Sequence, residues 1–281
     1  MYRLSALFGL LILLSGCGFQ SAIQPAVNQP SVNQPIGETL PDIECLAALT
    51  EPERALVDIR CVASSIEFEQ SLNGREGLPL PADTRWFQVV EGPLPVVISA
   101  PHATRPLREG KRRFADGAGT AALAKAVAAL TGATVIYTTY EGPSDPNYYD
   151  ANEYKQALAE LIAKQQPTLL LDIHGSHPYR AYDIDIGTLH GQSLLGDAAL
   201  LEQLISALKG EGINAISQNY FAAEKRETVT KFAAGLGVPA LQLEVNANWV
   251  TPARGDMNAQ RYALLVQALA RYILAVQASD Q

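Results

Sequence analysis

The residues best suited to chemistry are two histidines and two carboxylates placed where strands are expected to end, with a third carboxylate, Asp116, on a connecting segment. Leu169-Leu170-Leu171-Asp172-Ile173-His174-Gly175 follows Pro167. A short apolar run of this kind, too short for a helix, predicts a buried strand. Alternation then places Asp172 and His174 on one face of the pleat. They leave the sheet together at its C-terminal edge, where open α/β sheets bind ligands. His102 follows the apolar run Val96-Val97-Ile98-Ser99 and stands at another strand's exit, and Glu244 lies within Leu241-Gln242-Leu243-Glu244-Val245-Asn246. A carboxylate in so apolar a strand must be paired or put to use, because burying it alone costs several kcal/mol. A lone histidine reads most simply as a satisfied core residue, but three strand ends of this type weaken that reading. Two imidazoles and a carboxylate, with one position left for water, are the ligands of a catalytic zinc site. Zinc would lower the pKa of water and polarise a carbonyl, and a separate carboxylate could carry the proton. Asp116, Asp172 and Glu244 all compete for the third ligand position. No His-Glu-x-x-His pair settles the choice, and Asp172 could instead orient an imidazole from behind.

The elements that must position these residues alternate from about residue 85 onward. Strands are predicted over 86–90, 95–99, 134–139, 169–173, 182–186, 213–217 and 240–245. Helices are predicted over 119–130, 152–164, 193–209, 228–234 and 258–277. This βα order predicts an α/β fold with a mixed, mostly parallel sheet and helices on both faces, three layers in all. Asp183 and Asp185 alternate with apolar residues, as on a half-exposed strand with a solvated outer face, with support of the site as the alternative for Asp185.

The chain has 281 residues, 48% hydrophobic and 18% charged, with a net charge of −8. That suffices for a substantial core and argues against phosphate-mediated binding of nucleic acid. A local basic run (Arg105, Arg108, Lys111, Arg112, Arg113) reads as a solvated loop or as contacts to an anionic substrate. At the N-terminus Arg3 precedes an apolar run from Leu4 to Leu14, too short to span a bilayer. Leu14-Ser15-Gly16-Cys17 resembles the bacterial lipoprotein signal. It implies a signal peptide over 1–16 and lipidation of Cys17; with Gly18 after the cysteine, it also implies an outer-membrane protein of the cell envelope. Residues 17–41 hold three pentapeptides beginning Gln24-Pro25, Gln29-Pro30 and Gln34-Pro35; a proline every five residues predicts an extended tether. The expected domains are thus the signal, the tether, a helical hairpin over 42–84 and a catalytic domain over 85–281. Cys45 and Cys61 lie 16 positions apart across a helix break at Glu51-Pro52. In an oxidising envelope they predict a disulfide-stapled hairpin.

One ordered set of motifs resembles a known family. Ser99-Ala100-Pro101-His102, Ala115-Asp116 with Gly119-Thr120, Asp145-Pro146-Asn147, Leu171-Asp172-Ile173-His174, Asp185-Ile186-Gly187-Thr188, Asn219-Tyr220-Phe221 and Gln242-Leu243-Glu244-Val245-Asn246 occur in this order. Together they are similar to N-formylglutamate amidohydrolases and their relatives, from about residue 86 to the C-terminus. The resemblance implies a zinc amidohydrolase with a fold similar to zinc carboxypeptidases and one zinc per chain. It implies His102, Asp116 and His174 as ligands and Glu244 as general base and acid.

Tyr148 stands where the family usually has an arginine after Asp-x-Asn, and Ala103-Thr104-Arg105 stands where a Ser-Gly pair is usual. A clamp for a substrate carboxylate, made by two parallel charge-assisted bonds, would then fall to Arg105, Arg180 or Arg226. Asp172 and Asn246 are expected behind the ligands or against substrate. His177 and His190 read as loop and turn residues, and Asp145 and Asn147 as residues that shape a turn. The expected partner is a small-molecule or peptide amide, with the membrane reached through the lipid on Cys17. A second reading is a lipid-anchored binding or scaffolding protein that keeps the hydrolase fold without activity. A third is a serine hydrolase, because Gly191-Gln192-Ser193 begins like a nucleophile elbow, although Leu195 stands where the closing glycine belongs.

Overall fold

The computed structural model describes residues 39–45 and 57–279. The expected signal peptide, Cys17 and all but the last residues of the expected tether lie outside the described residues. Among the described residues no helix is long and apolar enough to cross a membrane.

The chain enters through α1 (Ile59–Asn73), capped by Asp58, whose carboxylate accepts from the Cys61 N–H. The sheet strands are β1 (Phe87–Val90), β2 (Leu94–Ala100), β5 (Ala133–Thr138), β6 (Leu169–Ser176), β7 (Ile184–Gly187), β8 (Ile216–Gln218) and β9 (Ala240–Asn246). A separate two-stranded ribbon is formed by β3 (Leu107–Arg108) and β4 (Lys111–Arg112). Between them run α2 (Ala118–Thr131), α3 (Glu153–Gln165), α4 (Ala199–Gly210), α5 (Val229–Gly235), α6 (Ala247–Val250) and α7 (Asp256–Ser279).

The seven-stranded sheet has the order β1-β5-β2-β6-β9-β7-β8. β5, β2, β6 and β9 are mutually parallel, while β1 pairs antiparallel with β5 and β7 antiparallel with β9. Alternate side chains divide the apolar core in two. Val96, Ile98, Leu169, Leu171 and Leu243 face α1, α2, α4 and α7. Val97, Leu170 and Ala240 face α3 and α5. The result is a three-layer α/β fold with a mixed, mostly parallel sheet. Helix α2 is alanine-rich and buried on nearly every side, which lets it lie close between the sheet and α1 and α7. Gly119 is required there, because a Cβ would stand 1.9 Å from the Val250 carbonyl oxygen.

Several expected elements differ. Residues 39–45 carry no helix, and 46–56 lie outside the described residues, so the described part of the hairpin is an extended segment followed by α1. Pro41 disfavours helix at the start of that segment. Its Cys45 is joined to Cys61 by a disulfide. The expected helix over 193–209 is broken: Leu195 and Gly196 both take positive φ, so a 3-10 turn precedes α4. The β3–β4 ribbon and α6 were not foreseen.

Candidate active site

The site lies beyond the C-terminal ends of β2, β6 and β9, on the face that α3 and α5 cover lower down. His174 pairs in register with Glu244, and Asp172 with Gln242. All four therefore point to the face of Leu170 and Ala240. His102 stands in the turn after β2. Asp116 comes from the loop after β4, and its N–H donates to the His102 carbonyl at 2.9 Å. Gly175 lets that loop lie directly on β6: a Cβ there would meet the Asp116 carbonyl oxygen at 2.5 Å.

The Asp116 carboxylate is the meeting point. His174 Nδ1 donates to its Oδ2 at 2.7 Å, and His102 Nδ1 lies 3.5 Å from the same oxygen. The two rings stand 5.0 Å apart, edge to face. Ligand atoms from His102, Asp116 and His174 all lie within 4.8 Å of one another. Both imidazoles are held from behind through Nε2. His102 Nε2 is 2.8 Å from Asp145 Oδ1, and Asp145 Oδ2 accepts two bonds from Arg108, at 2.9 and 2.7 Å. His174 Nε2 lies 2.7 Å from Asn147 Nδ2 and 3.3 Å from Asp172 Oδ2. The Asn147 amide is itself fixed, because its oxygen accepts from the Val229 N–H at 2.7 Å. Asp172 Oδ2 also accepts from Thr230 at 3.3 Å, while its Oδ1 is buried without a partner.

The electrostatics follow from burial and this crowding. Burial pushes the His102 pKa down, but the carboxylates of Asp116 and Asp145 outweigh it and hold the ring at about 9. His174 is raised as well, with Asp172 and Asp116 overcoming burial. Burial would raise Asp116, yet the two imidazoles hold it well below the usual carboxylate range. Asp145 is held at about 2, since His102 and Arg108 outweigh its burial. Glu244 goes the other way: burial lifts it to about 7. Among the described residues its side-chain bond comes from Gln242 Nε2, at 3.2 Å from Oε1. A carboxyl poised near neutrality is the property a proton carrier needs.

Other sequence-predicted residues fall outside this cluster. Asn246 donates to the carbonyls of Pro178, Arg180 and Tyr182, so it fastens the loop before β7. Arg105 pairs with Glu76 at 3.2 Å and lies 3.7 Å from Glu141. Arg226 lies over the Tyr148 ring, 4.7 Å from its centroid, as Arg108 does. Arg180 lies over Tyr220 and Phe221. His177 is exposed, and His190 is exposed and pairs with Glu224. The Ser193 hydroxyl is buried and donates to the Ala240 carbonyl at 2.6 Å, so it has no path to act as a nucleophile.

Two expectations are corrected. Asp185 is not on a solvated face: it is fully buried and accepts from Ser217 Oγ, Tyr220 N and Phe221 N. Asp183 is likewise engaged, accepting from Trp249 Nε1 at 2.8 Å. The loop that covers Asp185 starts at Asn219, whose side-chain oxygen accepts from Thr188 N and Oγ1. A Cβ at Gly187 would stand 2.3 Å from the Phe221 carbonyl oxygen, so the segments 185–188 and 219–221 interlock. Asp145 and Asn147 do more than shape a turn, since each holds one imidazole. The signals for them were two polar residues flanking a proline and their place in the ordered motif set.

No family model matches the chain, and no curated protein does. Among solved structures, N-formylglutamate amidohydrolase from Ralstonia eutropha JMP134 superposes with a TM-score of 0.51 at 15% identity, over 69% of this chain and 98% of that one. The fold is shared with that enzyme. A bacteriophage poly-gamma-glutamate hydrolase gives a TM-score of 0.45 at 18% identity, over 75% of this chain and 96% of that one. A metallo-carboxypeptidase from Burkholderia cenocepacia gives 0.46 at 15% identity, over 76% and 69%.

Proposed function

We propose that this protein is a metal-dependent hydrolase, with zinc as the metal, that cleaves an amide bond in a small N-acyl amino acid or an envelope peptide. The observation that carries the reading is the convergence of two imidazole Nδ1 atoms and one Asp116 oxygen, with each ring fixed from behind. Three N/O donors supplied by two histidines and a carboxylate suit zinc and leave a position open. His102, Asp116 and His174 would hold it, and when bound it would polarise the scissile carbonyl and acidify water.

The chain's own residues supply the rest. Glu244 lies beside His174 on the neighbouring strand. As a carboxylate it takes a proton from the attacking water, and as an acid it returns that proton to the leaving nitrogen. Its pKa of about 7 suits both steps. Asp145, braced by Arg108, and Asn147 keep both rings from turning away. Asp172 Oδ2 is the acceptor that a proton on His174 Nε2 would need when Nδ1 faces a cation. We also infer that Cys17 carries lipid and tethers the enzyme in the bacterial envelope; loss of palmitate labelling in Cys17→Ser checks this.

The test is zinc content and N-acyl amino acid hydrolysis in the purified chain, His174→Ala and Glu244→Gln. His174→Ala is expected to fold, to lose zinc and to lose turnover. Glu244→Gln is expected to keep zinc and to lose about 10²- to 10⁴-fold in rate. A zinc-loaded, fully active His174→Ala protein refutes the assignment. Zinc binding without turnover on any amide would favour the binding-protein reading instead.

A further inference from the structure

Lys155, in the first turn of α3, takes no part in the chemistry above, yet it is only 1% exposed. Among the described residues no other lysine or arginine is buried to that degree. An ammonium is costly to bury unless it is paired and hydrogen-bonded. Its Nζ donates to Asp150 Oδ1 at 2.8 Å and to the Glu227 carbonyl, and it lies 5.0 Å from the centroid of the Phe232 ring on α5. A carboxylate, a carbonyl and a ring face thus take up the donors of the ammonium.

These partners share a relation to the site. Asp150 lies at the end of loop 145–150, whose Asp145 and Asn147 hold His102 and His174 from behind. Glu227 immediately precedes Thr228, the N-cap of α5. The first two residues of α5 act on His174 at one remove. The Val229 N–H donates to Asn147 Oδ1 at 2.7 Å, and Thr230 Oγ1 donates to Asp172 Oδ2 at 3.3 Å. Asn147 and Asp172 are the two groups set against His174 Nε2. Lys155 therefore ties together the two segments that meet behind this imidazole. Its own helix is fastened to the same loop: Asn152 caps α3 by accepting from the Lys155 N–H at 2.9 Å, and its Nδ2 donates to the Tyr149 carbonyl at 2.8 Å. A charged tie is not needed to keep α3 on α5, because Leu158, Val229 and Ala233 already share an apolar cluster on that face of the sheet. The ammonium adds what apolar packing lacks, a set distance and direction between a carboxylate on one segment and a carbonyl on the other.

We propose that Lys155 is a positioning residue for the metal-ligand cluster: it locks the start of α5 to loop 145–150 and so fixes the ring of His174. It acts through Asn147 and Asp172 and not on substrate. This inference rests on the metal-dependent reading, but part of its test needs no metal.

The experiment compares Lys155→Met, which keeps the length of the side chain and removes its donors, with Asp150→Ala and Leu158→Ala. The Asp150 side chain is 59% exposed, so removing it is expected to leave the fold intact even where the buried lysine cannot be replaced. Leu158→Ala loosens the packing of the same helix without touching the tie. Thermal melts establish that each variant is folded. The readouts are zinc affinity against a chelator, the visible spectrum of the cobalt-loaded chain, and the NMR shifts of the His174 ring nitrogens in the metal-free chain. Lys155→Met should lower zinc affinity about 10- to 100-fold, change the cobalt spectrum and move the His174 shifts. Asp150→Ala should do the same to a smaller degree. Leu158→Ala should lower the melting temperature and leave all three readouts unchanged. Unchanged readouts in Asp150→Ala and in a folded Lys155→Met, or the same changes in Leu158→Ala, overturn the role. A wild type that binds neither metal, with His174 shifts that move in the Lys155 and Asp150 variants but not in Leu158→Ala, would sink the hydrolase reading alone. Zinc binding and amide hydrolysis indifferent to both Lys155 and Asp150 would sink the positioning role alone.

Discussion

Replacing Gly175 with alanine is a sharp test of how the site is built. The glycine makes no bond to a ligand, but its Cβ would meet the Asp116 carbonyl oxygen at 2.5 Å, the carbonyl carbon at 3.2 Å and the Asp116 Cβ at 3.3 Å. Ordinary contact with that oxygen needs about 3.4 Å, so the backbone of Asp116 must retreat by nearly ~1 Å. It cannot retreat freely, because its own N–H is bonded to the His102 carbonyl. Overpacking of this kind costs about 1–3 kcal/mol. A displacement near ~1 Å in a positioned group costs on the order of 10²-fold in rate, and zinc affinity should fall about 10- to 100-fold. Urea unfolding reads the first effect, and zinc competition against a chromophoric chelator reads the affinity. Gly235→Ala is the control: it has open space around its Cβ and an ordinary φ, and should be neutral or slightly stabilising. Wild-type zinc affinity in a folded Gly175→Ala protein would refute the view that this close approach sets the ligand geometry.

Zinc binding should release a proton near pH 7, because His102 is held at about 9 in its absence and must give up a proton to ligate. Calorimetry in buffers of different ionisation enthalpy measures this, and release near zero would contradict it. Glu69, 1% exposed on α1, is raised by burial to about 7. Its folded pKa lies above the unfolded value of 4.5, so its contribution is full below pH 4.5 and is lost as pH rises through 7. The loss is about 3 kcal/mol, and Glu69→Gln should flatten that part of the pH–stability curve. A parallel curve for the two proteins would count against it. Replacing Cys45 and Cys61 together with serine should cost about 3 kcal/mol; an unchanged urea midpoint would contradict a structural staple.

The layered fold was readable because its strands are apolar runs with clear periods. The strands of His174 and Glu244 therefore fell in place with their polar residues on one face. Asp145 and Asn147 stood out as a motif, but their hold on the imidazoles was not readable, because loop residues around a proline carry no period and their partners lie 43 and 27 positions away. Asp185 misled for a related reason. Alternation set its face correctly, but the cover on that face comes from residues more than thirty positions downstream. The β3–β4 ribbon escaped because two-residue strands show no alternation at all. Leu195 hid the helix break, since leucine gives no sign of the left-handed backbone it adopts.

The tripeptide Asp145-Pro146-Asn147 has one more effect. Because it grips both rings at once, the two imidazoles cannot be adjusted independently. Any change in the length or path of that loop shifts both nitrogen donors in the same motion. A redesign aimed at another cation would have to begin at this shared brace and not at the histidines.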